Sequence, residues 1–246
     1  MGAGQTIAAG LALTALVEIP GGTYRPLYPA DPEQPVVEVA PFLLEAHPVT
    51  VGQYATFVRV QPRWAPGVPP AVLADRGYLG AWKVNRPADD RPVTEVSWHA
   101  ARAYCAATGR RLPTEDEWEL VARASPTQRD ASADPAWLAE ILAWYSAPAT
   151  APLGPVRAGR KNAWGVWDMH GLVWEWVEDF NNALVAGDAR EGGEEDKARF
   201  CGVGAISAQD VRDYANFMRV AWRSSLRGEM TTRTLGFRCA ADLETP

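Results

Sequence analysis

Histidine and cysteine are scarce, three of each in 246 residues. His47, His99 and His170 fall in separate blocks, and no His-x-x-x-His-x-Glu array is present to hold a non-haem iron. No Ser-His-Asp order, Walker loop or dinucleotide fingerprint occurs, and Gly202-Val203-Gly204 is a lone short glycine run. Positive charge is not in excess. A net charge of -6 and a pI of about 5.2 lack the basic footprint that phosphate backbones select, so no nucleic acid is expected. The apolar run at 7–17 (IAAGLALTALV) has 11 residues, too few to cross a bilayer, so no membrane span is expected. Its length suits the core of a signal peptide, but no Lys or Arg precedes it. Two readings stay open: the remnant of an export signal, or an extension leading into a strand. The division drawn here is 1–16 as extension or signal remnant and 17–246 as one domain.

What is present is globular, with 47% hydrophobic and 22% charged residues. A chain of this size can bury roughly three quarters of its unfolded surface, so it needs no staples merely to fold. The 20 prolines and 21 glycines interrupt the chain too often for long helices, and 11 tryptophans can fill the irregular gaps of a loop-rich fold. The mixed charge run at 190–199, with Glu191, Glu194, Glu195 and Asp196 around Gly192 and Gly193, reads as a solvated loop. Residues 18–28 read as strand, Pro-Gly-Gly turn, strand, and 36–44 as a further strand. Three helices carry start signals. Thr50 with Gln53 and Thr114 with Glu117 form capping boxes, and Ser97 caps a helix that stops at Gly109. After Ala124 the helical period fades, leaving short strand candidates at 173–177, 221–226 and 236–240. Strands and helices do not alternate, so the class is α+β and not doubly wound α/β.

The literal form of several blocks says more than their periodicity. Residues 109–123 (GRRLPTEDEWELVAR) resemble the RLPTEAEWE signature of the formylglycine-generating-enzyme, or sulfatase-modifying-factor, family. Its other blocks follow in the same order: EIPGGTY from Glu18, PFLLEAHPVTVGQYATFV at 41–58, PVTEVSWHAARAYCAATG at 92–109, NAWGVWDMHGLVWEWVEDF at 162–180, then RVAWRSS and LGFRCA. The resemblance covers about residues 17–242. It implies a single domain with a C-type-lectin-like arrangement and little regular secondary structure.

The resemblance also implies sites. Asp168, Gly171, Val173 and Glu175 match a structural Ca²⁺ site with carboxylates at the ends and backbone carbonyls between, a hard-oxygen set suited to that ion. Leu172 stands where the family block has Asn. The second Ca²⁺ loop of the family has no acidic counterpart in LAWYSAPATAPLG, so one site is expected. Cys105 and Cys239 match a disulfide pair of exported relatives, which points to a periplasmic or otherwise exported protein. Family enzymes hold Cu(I) with two cysteines just before a segment like YANFMRVAWRSS. Aligning Tyr214, Asn216, Arg219 and Arg223 places Asp210 and Ala215 at those two positions. Neither is a thiolate, and Cys201 lies nine residues before Asp210, so copper is not expected. The groove is expected to be lined by Trp174, Trp176, Cys201, Asp210, Tyr214, Asn216, Arg219 and Arg223.

Three function classes follow from the resemblance. The first is an accessory or binding factor for maturation of a periplasmic redox enzyme. GGTYRPLY, FCGVGA and YANFMRVAWRSSL favour it, because they resemble a short bacterial branch encoded beside copper nitrite reductases. The second is an oxidoreductase modifying a peptide or small molecule without copper, and the third a lectin-like recognition module. A protein or peptide partner is expected in the first.

Overall fold

The structure is a computed structural model, and it describes residues 13–27, 33–180 and 211–243. Cys201 and Asp210 lie outside the described residues, as do the charge run at 190–199 and most of the apolar run at 7–17.

Four short strands open the chain: β1 (Leu16–Ile19), β2 (Gly22–Tyr24), β3 (Val37–Val39) and β4 (Phe42–Glu45). The segment at 18–28 was expected as two strands around a turn. Both strands exist, but they do not pair with each other. β1 pairs antiparallel with β4, Leu16 opposite Glu45, while β2 pairs with β3, Gly22 opposite Val39. Both runs bend at the same level. Pro41 breaks the expected 36–44 strand into β3 and β4, since it has no N–H for a ladder. Gly21 takes the opposing bend at φ +75°, where an added Cβ would fall 2.4 Å from the Val39 carbonyl oxygen.

The three capped helices form where their signals lie. In α1 (Val51–Val60) the Thr50 hydroxyl accepts the Gln53 N–H while Gln53 Oε1 accepts the Thr50 N–H at 2.8 Å. After α2 (Gly80–Val84), the Ser97 hydroxyl caps α3 (Trp98–Ala107) by accepting the Ala100 N–H. Thr114 and Glu117 close the same reciprocal box on α4 (Glu115–Ala122). Each box satisfies two N–H groups that a helix start leaves unpaired.

Besides the short α2, two helices were not read from the sequence. α5 (Pro135–Tyr145) starts on Asp134, whose carboxylate accepts the Ala136 and Trp137 N–H groups, with Pro135 in the first turn. α6 (Val211–Ser224) includes most of the segment expected as a strand at 221–226. Its buried face is Ala215, Arg219 and Arg223, at helical spacing, but two of the three are charged, so no apolar stripe marks it. The chain ends in β5 (Trp174–Glu175), parallel to β6 (Leu235–Gly236), and β7 (Ala240–Asp242), which pairs with β4.

One core joins these parts. Tyr54, Phe57, Tyr104 and Phe237 are wholly buried and meet with ring centroids 5.3–6.1 Å apart. A disulfide links Cys105 on α3 to Cys239 beside β7, with Cα atoms 5.6 Å apart and a sequence separation of 134. The Cys239 backbone also exchanges hydrogen bonds with Glu45, its N–H reaching the carboxylate and its carbonyl accepting the Glu45 N–H. The fold is α+β with little regular structure, a single domain. Among the described residues no helix is long and apolar enough to cross a membrane.

Candidate functional site

α4 and α6 face each other through charge. Glu119 on α4 is buried, and its two oxygens accept from Arg219 Nε at 2.8 and 3.0 Å. Arg223 Nη1 reaches the same carboxylate at 2.6 Å and Glu115 at 3.0 Å. Arg219 further donates to the Tyr145 hydroxyl at 3.1 Å and to Asn216 Oδ1. The Arg223 guanidinium also lies 4.7 Å from the Trp118 ring centroid. Burial alone pushes the Glu119 carboxyl up, but Arg219 and Arg223 outweigh it and hold the group at about 2. Glu119 is therefore ionised, and the guanidinium groups beside it are already engaged. It fixes α6 on α4 and is not poised to move protons.

Rings lie beside this ionic layer. Trp174 stacks on Tyr145 with centroids 4.9 Å apart at 21°, and lies 5.4 Å from both Trp144 and Trp222. All four are half-buried, so the stack is reachable from solvent. His170 sits below it, edge-on to Trp118, Trp137 and Trp144, with Nε2 hydrogen-bonded to the Ala122 carbonyl at 2.9 Å. Burial, aided by the Arg219 charge, pushes His170 down to about 4, so it is neutral near pH 7.

The expected groove residues separate. Trp174 joins the ring stack, Tyr214 is exposed, and Asn216 is half-buried beside Arg219. Arg219 and Arg223 are buried under ion pairs. Trp176 is a core residue, with 0% exposure and its indole N–H donating to the Val96 carbonyl at 2.9 Å. Alternation along the strand sends Trp174 and Trp176 the same way, but the chain leaves β5 after Glu175, and Trp176 turns into the main core. Ala215, aligned with the second copper cysteine, is buried against Leu138 and Ile141 of α5. Glu115, Glu119, Tyr145, Trp144 and Trp222 complete the site and were not singled out from sequence. Glu119 lies within the signature block, but its partners are about a hundred residues away.

The expected Ca²⁺ donors run from the bend at Asp168 into β5. Asp168 has φ +58°, and its Oδ2 accepts the Arg157 N–H at 2.6 Å. Glu175 is buried, and Arg238 pairs with both its oxygens at 2.8 Å, while the Trp118 indole N–H adds a third bond at 2.8 Å. Among the described residues no donor reaches the carbonyls of Gly171 and Val173. Among the described residues no three His, Cys, Asp or Glu side chains gather into a metal centre. Asp168 and the carbonyls of Gly171 and Val173 are hard-oxygen donors of the type Ca²⁺ takes. Glu175, neutralised by Arg238, has one acceptor position left on Oε1.

The family pattern described as the sulfatase-modifying factor enzyme 1-like domain matches residues 6–243. The chain belongs to that family. It is 31% identical to a formylglycine-generating enzyme of Thermomonospora curvata, over 97% of this chain and 95% of that one. It is 29% identical to a mouse protein named inactive C-alpha-formylglycine-generating enzyme 2, over 94% of this chain and 87% of that one. The solved structure of CarF superposes with a TM-score of 0.55 at 17% identity, covering 94% of this chain and 99% of that one, which shows the family fold alone. A relative named as a formylglycine-generating enzyme and one named as inactive stand at nearly equal identity, so overall similarity does not decide the chemistry of this member.

Proposed function

We propose that this chain is an exported, non-oxidising member of the sulfatase-modifying factor family, an accessory factor that binds a protein partner during maturation of a periplasmic redox enzyme. The observation that carries the reading is Ala215. Where the aligned enzymes have a copper thiolate, this chain has a buried methyl group packed on Leu138 and Ile141. A methyl group has no lone pair for Cu(I) and no nucleophile for a substrate thiol. The Cys105–Cys239 bridge supports an oxidising compartment. The half-buried stack of Trp174, Tyr145, Trp144 and Trp222 supports binding, because aromatic side chains of this kind anchor protein interfaces. In the same reading one Ca²⁺ is held by Asp168 with the carbonyls of Gly171 and Val173, Glu175 lying beside it, and it stiffens the turn below the stack.

The test is a Cu(I) titration against a thiol-competitive chelator, paired with O₂ uptake in the presence of cysteine peptides. The expected result is no stoichiometric copper binding and no peptide-dependent O₂ uptake. Tight one-to-one copper binding or turnover of the peptide overturns the non-oxidising assignment. The accessory role is tested by removing the gene and measuring cofactor occupancy in the partner redox enzyme, which is expected to fall.

A further inference from the structure

A second opening lies away from the aromatic stack, between the turn joining β1 to β2 and the end of α4. It is a cavity of about 160 Å³, and the residues around it include Gly21, Gly22, Leu120, Arg123, Arg129 and Trp164. That volume is below the roughly 300 Å³ at which sites for drug-sized ligands begin, so it suits a small molecule.

Its chemistry is one-sided. The Arg129 guanidinium lies 4.4 Å from the Trp164 ring centroid, and among the described residues no carboxylate comes within ion-pair distance of it. Arg123 is held more firmly: it donates to Ser132 Oγ at 2.9 Å, and its charge lies 5.5 Å from the Tyr24 ring centroid. Among the described residues lining the cavity the one carboxylate is Asp130, which stands 3.4 Å from Arg123 Nε and offsets one of the two positive charges. The Trp164 indole N–H is buried with no acceptor among the described residues, an arrangement that costs free energy unless something supplies one. Leu120 and the Trp164 ring add apolar surface.

We propose that this cavity binds a small carboxylate with a flat apolar body, its oxygens taken by Arg129 and Arg123 beside the Trp164 ring. The surplus of one positive charge matches a monoanion. Guanidinium forks pair well with planar carboxylates, and the apolar walls match the rest of such a ligand. A phosphate dianion would leave the apolar walls unused and exceed the available charge. This site is independent of the partner-binding reading, since none of its residues belongs to the aromatic stack.

The experiment follows tryptophan indole N–H resonances of the ¹⁵N-labelled full chain, with Trp164→Phe assigning one of them. Benzoate, benzamide and inorganic phosphate are titrated separately. Benzoate is expected to shift the Trp164 signal saturably, benzamide is expected to leave it in place, and Arg129→Gln is expected to weaken benzoate about tenfold or more. Arg129 is exposed, so that variant is expected to keep the wild-type melting temperature. No saturable shift, an equal response to benzamide, or unchanged affinity in Arg129→Gln overturns the proposal. Tighter binding of phosphate than of benzoate overturns the carboxylate assignment.

Discussion

Glu119 shows how a single buried charge organises this molecule. It accepts from two arginines on a helix about a hundred residues later in sequence, and both arginines are as buried as it is. Removing one partner from such a cluster leaves uncompensated charge in a poor solvent for it. Glu119→Gln is therefore expected to cost about 3–5 kcal/mol, read from urea unfolding midpoints. The pH dependence has a definite sign. The carboxyl titrates near 4.5 when unfolded and at about 2 when folded, so its contribution is complete above 4.5 and is lost as pH falls toward 2. The variant is expected to show a flatter fall in stability across that window. Arg219 and Arg223 stood out in the sequence because they match a family block, whereas their engagement with Glu119 did not. A contact between residues so far apart leaves no local pattern, and a charged residue in isolation reads as a groove or surface residue.

At the level of elements, legibility followed distance along the chain. Thr50, Ser97 and Thr114 announce their helices because cap and capped N–H lie within three residues. α5 carried a comparable signal in Asp134 and Pro135, but PAWLAEILAWY is apolar on nearly every side, so no amphipathic stripe declared it. α6 failed from the opposite direction, its inner face being charged. The link between α3 and the final strand is covalent, and its loop is long. Replacing Cys105 and Cys239 by serine is expected to lower stability by about 4–5 kcal/mol in the chain-entropy account, measured as a shifted urea midpoint. A reducing agent is expected to bring the wild type toward the variant and leave the variant unchanged. An equal response of both proteins would mean that the bridge does not form in solution.

Among the described residues the molecule has one large core and a small cluster of Leu138, Ile141 and Ala215, and the Asp168 turn, the aromatic stack and the ionic layer of α4 and α6 adjoin at the edge of the large core. If Ca²⁺ binds this turn, a chelator is expected to lower the melting temperature by at least about 4 °C, the scale of one to two kcal/mol in a chain of this size. Asp168→Asn is expected to remove the difference between chelated and Ca²⁺-loaded protein, and no effect of chelator on the wild type would contradict the site. Much of the architecture was already written in short-range chemistry. Caps and the order of the family blocks act over a few residues or by literal identity, so the starts of α1, α3 and α4 and the fold class were readable without coordinates. Partnership was not. That β1 pairs with β4 and not with β2, that Trp174 stacks half-buried while Trp176 is sealed in the core, and that two arginines expected in a groove are closed by Glu119 all depend on which distant segments pack together. Packing is decided by the summed burial and pairing of the entire chain, which no local window contains.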